Sequence, residues 1–153
     1  MVEITKHKHS IGQSAYHFVW RPKYNIKAFR HPYPRTVCEE ALRFVAAQWK
    51  IKIYEMEVMT NHIHIFVEIP PTMTVSFALQ ILKGGSARIF FKRCTIWREV
   101  FLRNGWKLHL WSPGKFFRSV GCVTAEVVEN YIRNSNNWEF EFLKKNQTVL
   151  SAY

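Results

Sequence analysis

At 153 residues, 48% of them hydrophobic, the chain is long enough to enclose one hydrophobic core and too apolar to be a disordered segment. Its 22 Lys and Arg stand against 11 Asp and Glu, a formal charge of +11. Such an excess calls for an anionic partner, and nucleic acid fits better than a membrane surface, because the basic residues are scattered among aromatics rather than gathered on one Lys-rich amphipathic helix.

No run of about 18 apolar residues is present, and the opening MVEITKHKHSIG lacks the layout of a signal peptide, so a cytoplasmic protein that does not cross a membrane is expected. Cys38, Cys94 and Cys122 form no CxxC pair and no zinc spacing, and read as reduced, packed thiols.

In chain order, Lys6-His7-Lys8-His9 shows no strand pattern and reads as a solvated polar segment. Residues 15–20, aromatic and β-branched, predict a buried strand closed by Arg21-Pro22, followed by a Pro-rich turn. Thr36 with Glu39 has capping-box spacing, and Val37, Ala41, Phe44 and Val45 recur at helical period up to about Trp49. Residues 51–69 predict two antiparallel strands meeting at Thr60-Asn61, the second holding His62 and His64.

Residues 74–93 are helical in pattern, with Gly84-Gly85 expected to break or bend the element and Ser86 to cap a second piece. The last sheet strand is expected between Lys107 and Val120, with Ser112-Pro113-Gly114 as a turn inside it. After Gly121, the expected joint, Thr124 would cap a helix on which Val127, Val128, Tyr131, Ile132 and Ser135 share a face; residues 137–153 form a tail. The order predicts one α+β domain over 1–153: a ferredoxin-like, split-βαβ antiparallel sheet with helices on one face, plus a C-terminal helix carrying the tyrosine.

Strand alternation sends His62, His64, Phe66 and Glu68 to one face and Ile63, Ile65 and Val67 to the other. Two imidazoles side by side can offer ring nitrogens to one divalent ion, although a bare HxH more often just packs and hydrogen-bonds. Tyr131, among Val127, Val128 and Ile132, is by itself what a core tyrosine looks like. Phosphate contacts are expected from Arg21 and Lys23 after the first strand, from Lys83, Arg88 and Lys92 around the double glycine, and from Lys115 and Arg118 flanking Phe116-Phe117.

Five blocks in register decide between these readings. They are His17-Phe-Val-Trp-Arg-Pro-Lys-Tyr24, Glu57-Val-Met-Thr-Asn-His-Ile-His-Ile-Phe-Val67, Leu82-Lys-Gly-Gly-Ser-Ala-Arg88, Leu110-Trp-Ser-Pro-Gly-Lys-Phe-Phe117 and Val128-Glu-Asn-Tyr-Ile132. Over residues 10–135 the chain resembles the TnpA-type single-tyrosine HUH transposases of the small insertion sequences. The resemblance implies that His62 and His64 bind Mg²⁺ or Mn²⁺ and that Tyr131 is the nucleophile. It also implies a single-stranded DNA hairpin as substrate and a homodimer in which one subunit's tyrosine helix completes the other's histidine site.

Two positions depart from the family pattern. Thr60-Asn61 replaces the usual Pro-Asp before the first histidine, and Ser135 stands where a glutamine usually contributes to the metal site. The third donor is therefore open among Ser135, Asn134, Asn136 and Glu68, and a domesticated hairpin-binding protein of the same fold is the competing reading. A replication initiator or relaxase fits less well, since those chains are usually larger and order their blocks differently.

Overall fold

The computed structural model describes residues 5–7, 10–12 and 14–120, which fall within one compact unit, Thr5–Gly121. The expected Tyr131 helix, the Gly121 joint, Cys122 and the 137–153 tail lie outside the described residues.

Two short strands, β1 (Thr5–His7) and β2 (Ser10–Gly12), pair antiparallel with His7 opposite Ser10, so the segment expected to lack a strand forms a small ladder. The main sheet is built from β3 (Ala15–Pro22), β4 (Lys52–Val58), β5 (Ile63–Glu68) and β6 (Trp111–Val120). Its order is β4-β5-β3-β6, every neighbour antiparallel. With α1 (Pro32–Gln48) between β3 and β4, and α2 (Val75–Arg93) and α3 (Thr95–Arg103) between β5 and β6, this is the expected ferredoxin-like arrangement.

Alternation explains where the core sits. Phe18 and Trp20 of β3, Ile63, Ile65 and Val67 of β5 and Val58 of β4 are buried on the face that meets the helices. Against them pack Val37, Leu42 and Val45 of α1, Leu79, Leu82 and Phe90 of α2, and Phe101 of α3. Each such apolar side chain contributes roughly 1.5–3 kcal/mol by leaving water. Phe29, Phe90, Phe91 and Phe101 meet edge-on in a chain of aromatic contacts at centroid distances of 5.8, 5.8 and 4.9 Å, which ties the Pro-rich connection to both later helices. Cys38 and Cys94 are buried thiols, as their lack of partners in sequence predicts.

Four local expectations are corrected. The Pro-rich stretch is not a turn before the helix but its first turn: His31 is the N-cap and Pro32 leads, at positions where an absent N–H costs nothing. Thr36 is thus already inside α1. Gly84-Gly85 does not break α2, which runs unbroken from Thr74, whose hydroxyl accepts the Phe77 N–H at 3.2 Å. Ser86 is no cap: its hydroxyl donates to Lys83 O at 3.2 Å and accepts the buried Trp111 indole N–H at 3.0 Å. Gly85 instead gives α1 room to approach, since a Cβ there would lie 2.6 Å from Val45 Cγ2, while one on Gly84 would meet nothing within 4 Å.

The third correction is α3, which sequence patterning did not single out; Lys92 and Arg93 close α2 and Cys94 joins the two helices. The fourth concerns Ser112-Pro113-Gly114, which is an irregularity inside β6 rather than a turn. Trp20 pairs with Lys115 and Pro22 with Trp111, so three residues of β6 face Arg21 alone. A proline is tolerated there because β6 is an edge strand and the ladder is already interrupted.

Candidate functional site

The sheet face opposite the helices carries the histidines. His64 lies within β5, but His62 precedes it: its carbonyl accepts the Met59 N–H at 2.8 Å and closes the connection between β4 and β5. The His62 and His64 rings stand edge to face with centroids 4.8 Å apart. Both are half-buried.

Each has its Nδ1 engaged. Asn61 Oδ1 lies 2.8 Å from His62 Nδ1, and because an amide oxygen only accepts, that nitrogen carries the proton. His64 Nδ1 lies 3.4 Å from Nε2 of His17, a β3 residue with 4% of its surface exposed. Burial first, then the neighbouring His64, lowers the pKa of His62 to about 4. The same causes, with Arg118 third, lower that of His17 to about 4. Both rings are neutral at pH 7 and keep a nitrogen lone pair.

His17 stood in the first sequence block but carried no assigned role; only the β3–β5 register, which pairs Val19 with His64 and Phe66 with His17, reveals that it joins the histidine pair. Arg118 is the direct β6 partner of His17 and therefore shares this face, as does Arg21 by continuing the alternation from His17 and Val19.

Glu68 is not poised beside the imidazoles. An extra residue in β4, Tyr54, sits where Ile53 pairs with Val67 and Glu55 with Phe66, and this bulge turns the Tyr54 hydroxyl onto the buried Glu68 carboxylate, to which it donates. The carboxylate registered against His64 is Glu57, an exposed residue. Among the described residues no group of three or more His, Cys, Asp and Glu is arranged to hold a metal ion.

The basic residues expected to touch DNA, Lys23 excepted, divide between two surfaces. Lys83, Arg88 and Lys92 present one face of α2 to a pocket of about 560 Å³ whose far wall is Leu108, His109 and Leu110, with Phe91 and Trp111 beneath. Arg98 of α3 adds to its positive rim and His109 to its lining, and neither was anticipated, because one lies on the unpredicted helix and the other in a segment expected to be strand. Lys83 donates to Ser112 O at 2.7 Å, and its pKa is lowered to about 8 by burial and then by Lys115. Lys115 thus belongs to the pocket side while Arg118 belongs to the histidine face. Lys23 lies apart in a short 3-10 turn (Lys23–Asn25), with its ammonium 5.9 Å from the Tyr24 ring, which itself stacks on Trp106 at 3.9 Å. Phe117 is half-exposed. No described helix is long and apolar enough to cross a membrane.

The family model for IS200-like transposases matches residues 10–135. The chain belongs to that family. Among its relatives, the ISDra2 transposase TnpA of Deinococcus radiodurans is 27% identical over 138 residues, covering 90% of this chain and 95% of the relative. The transposase for insertion sequence element IS200 from Salmonella typhimurium is 33% identical over 127 residues, covering 82% and 79%. In three dimensions this IS200-like family member overlays the crystal structure of a candidate transposase from Deinococcus radiodurans with a TM-score of 0.65 at 24% identity, over 86% of this chain and 97% of the other. A REP-associated tyrosine transposase bound to a REP hairpin gives 0.53 at 13% identity, over 88% and 76%. Both share the fold described above.

Proposed function

We propose that this family member is a single-strand DNA transposase that cuts and rejoins DNA at hairpin-marked element ends through a 5′-phosphotyrosine on Tyr131. The observation that carries the reading is the pair of imidazoles of His62 and His64 on one sheet face, each with its Nδ1 engaged by a neighbouring side chain. Two neutral imidazoles held in this way suit a divalent ion such as Mg²⁺ or Mn²⁺, with His62 and His64 as its protein ligands. Bound there, the ion would supply Lewis acidity toward a phosphodiester oxygen.

The remaining work falls to the chain. The Tyr131 oxygen gives up its proton and forms a bond to phosphorus; the bond from phosphorus to the 3′ oxygen breaks, and that oxygen takes up a proton to leave as a 3′-hydroxyl, so no net proton is gained or lost. Rejoining reverses the exchange on another strand end, so no external energy source is needed. A phenol with an ordinary pKa of about 10 needs cationic help to ionise, and Arg118 and Arg21 lie on the histidine face. The pocket between α2 and the Leu108–Leu110 segment would hold the strand away from the reacting phosphate, with phosphates on Arg88, Lys92 and Arg98. The relative solved with a REP hairpin supports a hairpin as the bound form. A homodimer sharing tyrosine helices would bring two strand ends together.

The competing reading is a hairpin-binding protein of the same fold that does not cut. Single-stranded hairpin DNA taken from the sequence flanking the gene, incubated with Mn²⁺, is expected to yield a protein–DNA adduct that survives denaturation. The adduct should vanish with Tyr131→Phe and with chelator. Tight binding of the hairpin without an adduct would instead establish the binding protein.

A further inference from the structure

His17 has no part in the chemistry just described, yet its ring touches that of His64. The register places it one diagonal step from His64 across β3 and β5, on the same face. Its Nε2 lies 3.4 Å from His64 Nδ1, and the two rings are within 20° of parallel with centroids 5.6 Å apart. The centroid separation is close to the nitrogen gap plus two ring radii, so the nitrogens lie on the line joining the rings. Two near-parallel rings in that relation are coplanar and edge to edge, which is the geometry of an imidazole–imidazole hydrogen bond and not of a face-to-face stack.

His17 is also well anchored. Its strand neighbours on the same face, Ala15 and Val19, are both 2% exposed, and its own 4% leaves the ring little freedom to turn away.

We propose that His17 is the positioning residue of His64: its Nε2 accepts the proton of His64 Nδ1 and holds His64 in the Nδ1-protonated tautomer. Asn61 does the same for His62, so the two site histidines are set by two different acceptors, one amide oxygen and one imidazole. A ligating histidine whose other N–H is held in this way is oriented and made more basic. The geometry gives the contact and the metal reading above gives its direction, while the tautomer itself is measurable on the metal-free chain.

Two measurements test it. Nitrogen NMR of the ¹⁵N-histidine-labelled, metal-free protein should show His64 protonated at Nδ1 and bare at Nε2; the opposite pattern overturns the proposal. Calorimetric titration with Mn²⁺ should show an affinity reduced about 10- to 100-fold in His17→Phe, which fills the space without an acceptor. His17→Gln, whose amide oxygen can take the place of Nε2, should stay within about threefold of the parent. Equal weakening in both variants, or in neither, overturns the role. A parent chain that takes up no Mn²⁺ while His64 carries its proton at Nδ1 rejects the metal reading and supports the tautomer assignment. The spectrum of the parent decides even if His17→Phe fails to fold.

Discussion

Adjacent glycines in α2 allow the helix packing to be tested with two single-methyl changes. Gly84→Ala and Gly85→Ala each replace a mid-helix glycine, and each gains about 0.8–1 kcal/mol of helix propensity. At Gly84 the new methyl meets nothing within 4 Å, so the gain survives and the protein should be stabilised by about that amount. At Gly85 the methyl would fall 2.6 and 2.9 Å from the two γ-carbons of Val45, a side chain only 4% exposed whose β-branching in a helix leaves it essentially one rotamer. Overpacking of that kind costs about 1–3 kcal/mol. Because both variants gain the same propensity, their difference isolates the clash: Gly85→Ala should be about 1–3 kcal/mol less stable than Gly84→Ala. At roughly 2–4 °C per kcal/mol for a chain of this size, thermal unfolding followed by circular dichroism resolves it. Val45→Ala should then erase most of the gap in a double-mutant cycle. Equal stability of the two alanine variants would refute the close approach of α1 and α2 at this point.

Two further outcomes concern the cationic pocket. Lys83, with its pKa lowered to about 8, is partly neutral just above neutrality, and a bound phosphate favours its charged form, so binding takes up a proton. Affinity for single-stranded DNA, read by fluorescence anisotropy, should therefore fall as pH rises from 7 to 9. Lys115→Gln, which removes a repelling charge, should move that fall to higher pH, and a flat profile in the parent would place Lys83 away from phosphate. Arg98→Gln should lower affinity and reduce the slope of log affinity against log salt by about 0.7, the contribution of one phosphate contact on a single strand; an unchanged slope removes α3 from the interface.

Period-two and period-3.6 patterning sufficed for the strand around Phe18, the hairpin at Thr60-Asn61 and the body of α1, because those residues bury one face each. It failed where local preference and tertiary packing disagree. Gly84-Gly85 looks like a breaker only if the cost of glycine is not set against what a close approach to Val45 allows. Pro113-Gly114 looks like a turn only if the strand is assumed to have two neighbours. The basic residues were individually visible, but strand parity, altered by the irregularity in β6, decides that Lys115 and Arg118 serve opposite faces.

The histidines show a different limit. His62 and His64 are two residues apart, and strand geometry alone puts them together; His17 is 47 residues from His64, and no local pattern joins them. What joins them is register, set when the apolar residues of β3 and β5 choose the helix-facing side. A slip of one residue would bury His17 among Phe18's partners and expose Ile65. The packing that buries Phe18, Ile63, Ile65 and Val67 therefore also fixes which imidazole reaches His64, so the core and the chemistry of this face are set by one register and not by two independent selections.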